Sequence, residues 1–240
     1  MNLSAYMSSI RPFRWMSLYE RIKKTGLSFE MIIVCPDNLG SPLPPEIKFF
    51  KSDVKPSQCF HFAGENCSGD IMLQLVDDLE YSEGSLEKMY EEVRSADNIM
   101  STAHYFQDSL DMSLYQNISG YPNNPAFLPL LPVCGMFPRK SWLENKGLDV
   151  RFDGVMSELD FYMRLSINGY QTRFVDGVVL ENTAYQQQCA TERLCNRFWN
   201  KDRATFINLW SSNGVLYPIR NDIMRPYKNE DLLVTNQYYG

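Results

Sequence analysis

The sequence predicts a single α/β domain built on a mixed, mostly parallel sheet flanked by helices, and three observations predict it. Over the first hundred residues short apolar runs alternate with helix-periodic stretches and short connectors, the pattern that lays consecutive strands parallel. The run Ile71-Met72-Leu73-Gln74-Leu75-Val76 reads as a buried strand and ends in Asp77-Asp78. A chain of 240 residues, 44% hydrophobic and 13% aromatic, is globular and long enough for one large core.

Leu3 to Ser9 is the first expected strand. After the Ser8-Ser9-Ile10-Arg11-Pro12 turn, Trp15, Leu18, Tyr19 and Ile22 recur at helical spacing, with Pro12 suited to a first helical turn. Met31 to Cys35 is a second strand, stopped by Pro36-Asp37-Asn38. The rigid loop Ser41-Pro42-Leu43-Pro44-Pro45 leads to a third at Ile47 to Phe50. Pro56 starts a helix with Cys59, Phe62 and Ala63 on its inner face, and Gly69-Asp70 launches the Ile71 strand. Gly84-Ser85 offers a cap for the stripe Leu86, Met89, Tyr90, Val93. Residues 108 to 132, with Gly120-Tyr121-Pro122-Asn123-Asn124-Pro125, read as a long loop. A helix is expected from about Ser157 to Asn168, with Leu159, Tyr162, Met163 and Ile167 on its apolar face and Gly169 ending it. Thr172 to Val175 and Val178 to Leu180 read as two short strands joined by a tight turn at Asp176-Gly177. A final helix is expected from about Thr191 to Trp210.

Composition excludes several classes of function. A net charge of -6 is the wrong sign for general nucleic-acid binding. No apolar stretch reaches the roughly 18 to 20 residues that cross a bilayer. Met1-Asn2-Leu3-Ser4 lacks the basic and apolar segments of a signal peptide, so a cytoplasmic location is expected. The six cysteines, at 35, 59, 67, 134, 189 and 195, form no Cys-x-x-Cys pair and fit reduced thiols. With only His61 and His104, a histidine-rich zinc site is excluded.

Two acidic constellations carry the chemistry. Neighbouring side chains on a strand point to opposite faces, and a buried carboxylate costs several kcal/mol without a cationic partner. Asp77-Asp78 therefore belongs at the open carboxyl end of the sheet, where ligands of α/β folds collect, or in an Asp-rich turn opening the next helix. The second constellation is Glu158-Leu159-Asp160, with Arg164 four residues beyond Asp160. A helix dipole and an i,i+4 ion pair account for Asp160 structurally, whereas Glu158 is placed to face the same cleft as the strand end. Two separated acidic groups allow one to hold a divalent cation through oxygen ligands and the other to act as general base.

The order of these pieces resembles the GT-A nucleotide-sugar glycosyltransferases, closest to the family-2-like group. The resemblance runs over about residues 4 to 182 and rests on the segments FEMIIVCPD, KPSQCFHFAGENCSGDIMLQLVDDLEYSEGSL and RFDGVMSELDFYMRLSINGYQTRFVDGVVLEN. It implies a GT-A (Rossmann-like) core over residues 1–182, with a nucleotide-binding half at about 1–100 and an acceptor half at about 101–182. Residues 183–240 would be a C-terminal helical extension packed on the core.

The resemblance also implies roles. Asp78 would be the main ligand of a Mn²⁺ or Mg²⁺ ion, and Asp77 would lie toward the ribose or sugar. Ser8, Ser9 and Arg11 stand where the first strand meets the nucleotide, Asp37 where an acid contacts the base or ribose, and Gln58 and His61 on the helix that carries polar donor contacts. Glu158 occupies the position of the base that deprotonates an acceptor hydroxyl, with Asp160 an orienting or acceptor-contacting neighbour. The implied reaction is inverting transfer from a nucleotide-diphosphate sugar, expected to be UDP-linked, to a glycan or other hydroxyl-bearing acceptor.

Three departures from the family pattern stand out. Val76-Asp77-Asp78-Leu79-Glu80 replaces a clean Asp-x-Asp, and Glu158-Leu159-Asp160 replaces the commoner Glu-Asp, which leaves both Glu158 and Asp160 as candidate bases. Where many relatives carry a histidine the chain has Glu181-Asn182, so either Glu181 substitutes as an oxygen ligand or that contact comes from elsewhere. Two other readings compete: a non-catalytic nucleotide-sugar- or carbohydrate-binding module of the same fold, and a sugar-phosphate nucleotidyltransferase, against which the glycine-free Ser8 to Pro12 turn speaks.

Overall fold

The protein is described from a computed structural model, covering residues 2–36, 42–52, 54–107, 110–111, 134–181, 194–212, 215–216 and 220–228. Strand β1 (Leu3–Ser8) leads through a short 3-10 turn, Pro12–Arg14, into α1 (Trp15–Lys23), then β2 (Phe29–Cys35) and β3 (Ile47–Lys51). Next come α2 (Pro56–Glu65), β4 (Ile71–Gln74), β5 (Leu79–Tyr81), α3 (Ser85–Arg94), β6 (Ile99–Gln107) and β7 (Leu110–Asp111). The second half holds β8 (Met136–Pro138), α4 (Arg139–Glu144), α5 (Ser157–Ile167), β9 (Gln171–Glu181), α6 (Leu194–Trp210) and a two-residue hairpin, β10 (Ser211–Ser212) with β11 (Val215–Leu216).

Eight strands form one curled sheet in the order β3-β2-β1-β4-β8-β6-β9-β5, with β7 paired onto β6. The junctions among β3, β2, β1 and β4 are parallel, as is β6 with β9; β8 and β5 enter antiparallel. Period-2 alternation divides each strand between two cores. Leu3, Ala5 and Met7 of β1 face the stripes of α1 (Trp15, Leu18, Tyr19, Ile22) and α3 (Leu86, Met89, Tyr90, Val93). Tyr6 faces the other way, onto Cys59 and Ala63 of α2, Trp142 of α4, and Phe161 and Leu165 of α5. The result is a three-layer α/β/α sandwich, with each fully buried large apolar side chain contributing about 1.5–3 kcal/mol.

The turn between α2 and β4 explains its own sequence. Ser4 Oγ, Ser68 N and Ser68 Oγ donate to buried Glu30 of β2 at 2.6, 2.6 and 2.7 Å, and Gly69 N donates to Ser4 Oγ at 2.7 Å. A Cβ on Gly69 would meet Ser4 Oγ at 2.8 Å and the Leu3 backbone at 2.9 Å, so only glycine lets this turn approach β1. Burial alone would raise the Glu30 carboxyl, but Lys48 and the serines hold it down at about 2.

Two expectations are corrected. Thr172 to Leu180 is not a hairpin: β9 is one strand running parallel to β6 throughout, with a bulge where Ala103 pairs Val175 and His104 pairs Val178. Asp176-Gly177 is the extra pair of residues at that bulge, which keeps both halves on the same partner. On α5 the buried face is Phe161, Tyr162, Met163 and Leu165, while Ile167 is 46% exposed. Neither the strands β6 and β8 nor α4 carried a clear periodic signal, and the expected loop at 108 to 132 lies almost wholly outside the described residues. Among the described residues no helix is long and apolar enough to cross a membrane.

Candidate active site

At the carboxyl end of β4 the chain turns through Leu75–Asp78 and hands two carboxylates to the loop after β1. Asp77, 3% exposed, is held from four directions: Oδ2 accepts from Ser9 Oγ at 2.7 Å, Ile10 N at 2.8 Å and Arg11 N at 2.8 Å, and Oδ1 is ion-paired with Arg11 Nη1. Ser9 is used up in the same lattice, because its Oγ also accepts from Trp15 Nε1 at 2.7 Å. Arg14 locks the turn from below, donating to the Asp77 and Leu79 carbonyls and pairing with the half-exposed Glu80 at 3.3 Å. Asp77, expected to lie toward the donor, is bound within the loop that follows β1.

Asp78 is placed differently. Its Oδ2 lies 3.5 Å from the Arg11 guanidinium, and it is 8% exposed at the end of the sheet. Pairing of Leu79 with Glu181 brings Glu181 to the same edge, one residue from Asp78 in register, where Tyr105 Oη donates to its Oε2. Among the described residues no group of three histidine, cysteine, aspartate or glutamate side chains converges. Asp78 and Glu181 offer hard oxygen donors of the type Mg²⁺ or Mn²⁺ takes, and such an ion would draw its remaining ligands from water or a bound phosphate.

The second wall is the first turn of α5. Ser57 Oγ at the start of α2 donates to Ser157 Oγ at 2.9 Å, which ties the two helix starts together and puts half-buried Gln58 beside them. Glu158 is half-buried and receives one side-chain hydrogen bond, from Ser157 Oγ at 3.2 Å. No cation pairs with it among the described residues. Its carboxyl is pushed up, first by desolvation and further by the charge of Asp202. The buried Cys134 thiol, pushed up by burial first, is raised further by both Glu158 and Asp78.

Asp160 has the opposite environment. It is fully buried, and it accepts from Arg164 Nε at 2.9 Å, Trp210 Nε1 at 2.9 Å and Arg220 Nε at 2.8 Å. Arg220 continues to Asp149 at 2.7 Å, and Arg164 to the carbonyls of Asn145 and Gly147 at 2.7 and 2.6 Å. Asp160 therefore joins α5 to α6 and the segment after it, facing away from the cleft. Of the two candidate bases, Glu158 is the one whose carboxylate is not consumed by the fold.

The remaining expected donor contacts divide in the same way. Ser8 ends β1 half-buried, beside the cage of Ser9 and Arg11. His61 is 4% exposed in the core behind α2: its Nδ1 accepts from Leu148 N at 3.1 Å, and its ring stacks on Tyr227 at 4.5 Å. Desolvation lowers it to about 4, so it is neutral at pH 7 and packs between Trp142 and Tyr227. Asp37 lies outside the described residues. The residues that sequence reasoning missed are Asp202, Arg220, Arg14 and Cys134. Each acts through a partner far off in sequence, and no local pattern marks it.

No family profile matches the sequence, and no curated protein matches it. Solved structures do match in fold. S. aureus TarS 1-349 in complex with UDP-GlcNAc superposes with a TM-score of 0.59 at 11% identity, covering 81% of this chain and 60% of that one. The same TarS segment without a named ligand gives 0.59 at 12% identity, and with UDP 0.57 at 11%, each covering 89% of this chain and 76% of that one. The chain thus spans 60% of the length of the first of these structures. The fold is that of the GT-A nucleotide-sugar glycosyltransferases, as the resemblance implied.

Proposed function

We propose that this protein is an inverting glycosyltransferase that moves a sugar from a UDP-linked donor to an acceptor hydroxyl, with Glu158 as general base. The observation that carries the reading is Glu158 in the first turn of α5, desolvated and without a paired cation among the described residues, beside Asp160, whose carboxylate is taken by Arg164, Trp210 and Arg220. The neighbours' complexes with UDP-GlcNAc and UDP support the choice of donor. A base works best when its pKa lies near the operating pH, and desolvation moves Glu158 toward that range. In the step itself the acceptor oxygen attacks the anomeric carbon, its proton passes to a Glu158 oxygen, and the bond from that carbon to the diphosphate breaks with its electron pair leaving on the diphosphate. Atoms and charge balance without a further reactant.

Asp78 and Glu181 are the residues proposed to hold Mn²⁺ or Mg²⁺. When bound, such an ion neutralises charge on the leaving diphosphate. Arg11 already lies beside Asp78, so the chain brings a fixed positive group of its own to the same place. The acceptor is proposed as a glycan or another hydroxyl-bearing molecule.

The reading is tested with a UDP-sugar and Mn²⁺, following both transfer to water and UDP binding. Glu158→Gln should bind UDP as wild type does and lose turnover. Asp78→Asn should weaken Mn²⁺-dependent UDP binding while staying folded. Wild-type binding by Asp78→Asn would remove the metal assignment, and wild-type turnover by Glu158→Gln would remove the base.

A further inference from the structure

Helix α6 lies beyond the stretch that carries the family resemblance, yet it reaches the turn that delivers Glu158. Asp202 on this helix is fully buried, and its carboxylate accepts from Asp153 N at 3.0 and 3.1 Å, Gly154 N at 2.8 Å and Val155 N at 2.9 Å. Three successive N–H groups converging on one anion form a nest, and charge-assisted bonds of this kind are about twice as strong as neutral ones. The turn they close ends at Met156, whose φ of 63° is left-handed and costly for a side chain of that size. Ser157 and Glu158 follow at once.

The rest of the contact is built to hold that turn. A Cβ on Gly154 would meet Phe198 of α6 at 2.5 Å, so the turn lies directly against the helix. The Asp153 carboxylate is ion-paired with Lys201 of α6 and, at 2.6 Å, with Lys55 before α2. Phe206, Leu209 and Trp210 seat the helix on Phe152, Met156 and Met163.

We propose that Asp202 is a positioning residue for Glu158: by gathering the backbone of residues 153–155 it fixes the strained turn from which the acidic side chain of α5 projects. The inference rests on Glu158 being the acid used at the site. It has an electrostatic side as well. The groups facing Glu158 are Tyr6 from β1, Cys134 before β8, Tyr162 and Ser157 on α5 itself, and Asp202 from α6. The tyrosines, the cysteine and the serine are neutral at neutral pH, and Asp202 is the group whose charge acts to raise the Glu158 carboxyl. Its negative charge disfavours ionised Glu158 and helps keep that carboxyl high.

The test compares wild type with Asp202→Asn, which keeps an oxygen acceptor and removes the charge. Carbon-13 NMR of labelled glutamate side chains, with the Glu158 signal assigned by its absence in Glu158→Gln, reads the titration directly. The expected result is a Glu158 midpoint lower in Asp202→Asn than in wild type. The acid limb of UDP-sugar turnover should move down with it, and kcat should fall more than KM rises. An unmoved Glu158 midpoint in a folded Asp202→Asn protein would overturn the proposal. Should that variant not fold, Asp202→Ser keeps a hydroxyl acceptor at the same place and carries the same two outcomes. Retained turnover in Glu158→Gln would instead strike the functional reading and leave the NMR result standing by itself.

Discussion

The strand end at Asp77-Asp78 and the first turn of α5 each present two carboxylates, and in each the two members have been given different work. Asp77 accepts three hydrogen bonds within 2.8 Å and an arginine, while Asp78 meets the same arginine at 3.5 Å. Asp160 accepts from two arginines and a tryptophan, while among the described residues the one side-chain donor to Glu158 is Ser157. The difference teaches how to separate structural acids from chemical ones at such a site. A buried carboxylate with a full set of donors stabilises the fold and has no lone pair to offer a substrate. One that is desolvated without compensation costs stability and is poised for proton transfer.

That contrast breaks first, and hardest, at Asp160. Asp160→Ala would leave Arg164 and Arg220 buried without their shared anion, and urea unfolding should register a loss of about 3–5 kcal/mol. A loss below about 1 kcal/mol would make Asp160 a dispensable neighbour and reopen its role at the site. Asp77→Asn should cost somewhat less, about 2–3 kcal/mol, since the amide keeps one acceptor for the Ser9 to Arg11 loop. Loss of UDP binding with unchanged stability in this variant would show that Asp77 touches the donor after all.

His61 sharpens the comparison from the cationic side. Its imidazole is neutral in the fold and titrates at about 4, below the unfolded value of 6.5, so the unfolded chain takes the proton first as pH falls. The stability it contributes at pH 7 is therefore lost between about 6.5 and about 4, up to roughly 3 kcal/mol. Equilibrium unfolding at several pH values checks this, and His61→Gln should remove that part of the slope. At the small end lies the half-exposed pair Arg173–Glu92, where Arg173→Ala should change stability by no more than about 0.5 kcal/mol.

Much of this architecture was legible in the sequence, for reasons that differ by element. The stripes of α1 and α3 fall on their buried faces residue for residue, because an amphipathic helix on one side of a sheet has a single apolar face. The Gly69-Asp70 turn and the strand after it were legible too, although β4 ends at Gln74, before the expected Val76. Strand β8 was not. It has three residues and a proline, and it exists only because β4 and β6 flank it. The hairpin expected at Asp176-Gly177 failed because a bulge and a turn use the same residues, and only pairing with β6 tells them apart. At the site, the acids were found by type and order, but which of each pair was structural depended on Ser9, Trp210 and Arg220. Those partners lie 68, 50 and 60 positions away. Asp202 was invisible for the same reason.

The most direct test of the division between structural and chemical acids is Glu158→Gln, measured for both stability and turnover of a UDP-sugar. Because burial disfavours the ionised Glu158, a neutral amide there should leave the melting temperature unchanged or raise it. Turnover should fall by about 10²–10⁴-fold with UDP affinity retained. A Glu158→Gln protein that turned over the donor at the wild-type rate, or that unfolded as readily as Asp160→Ala, would contradict the account.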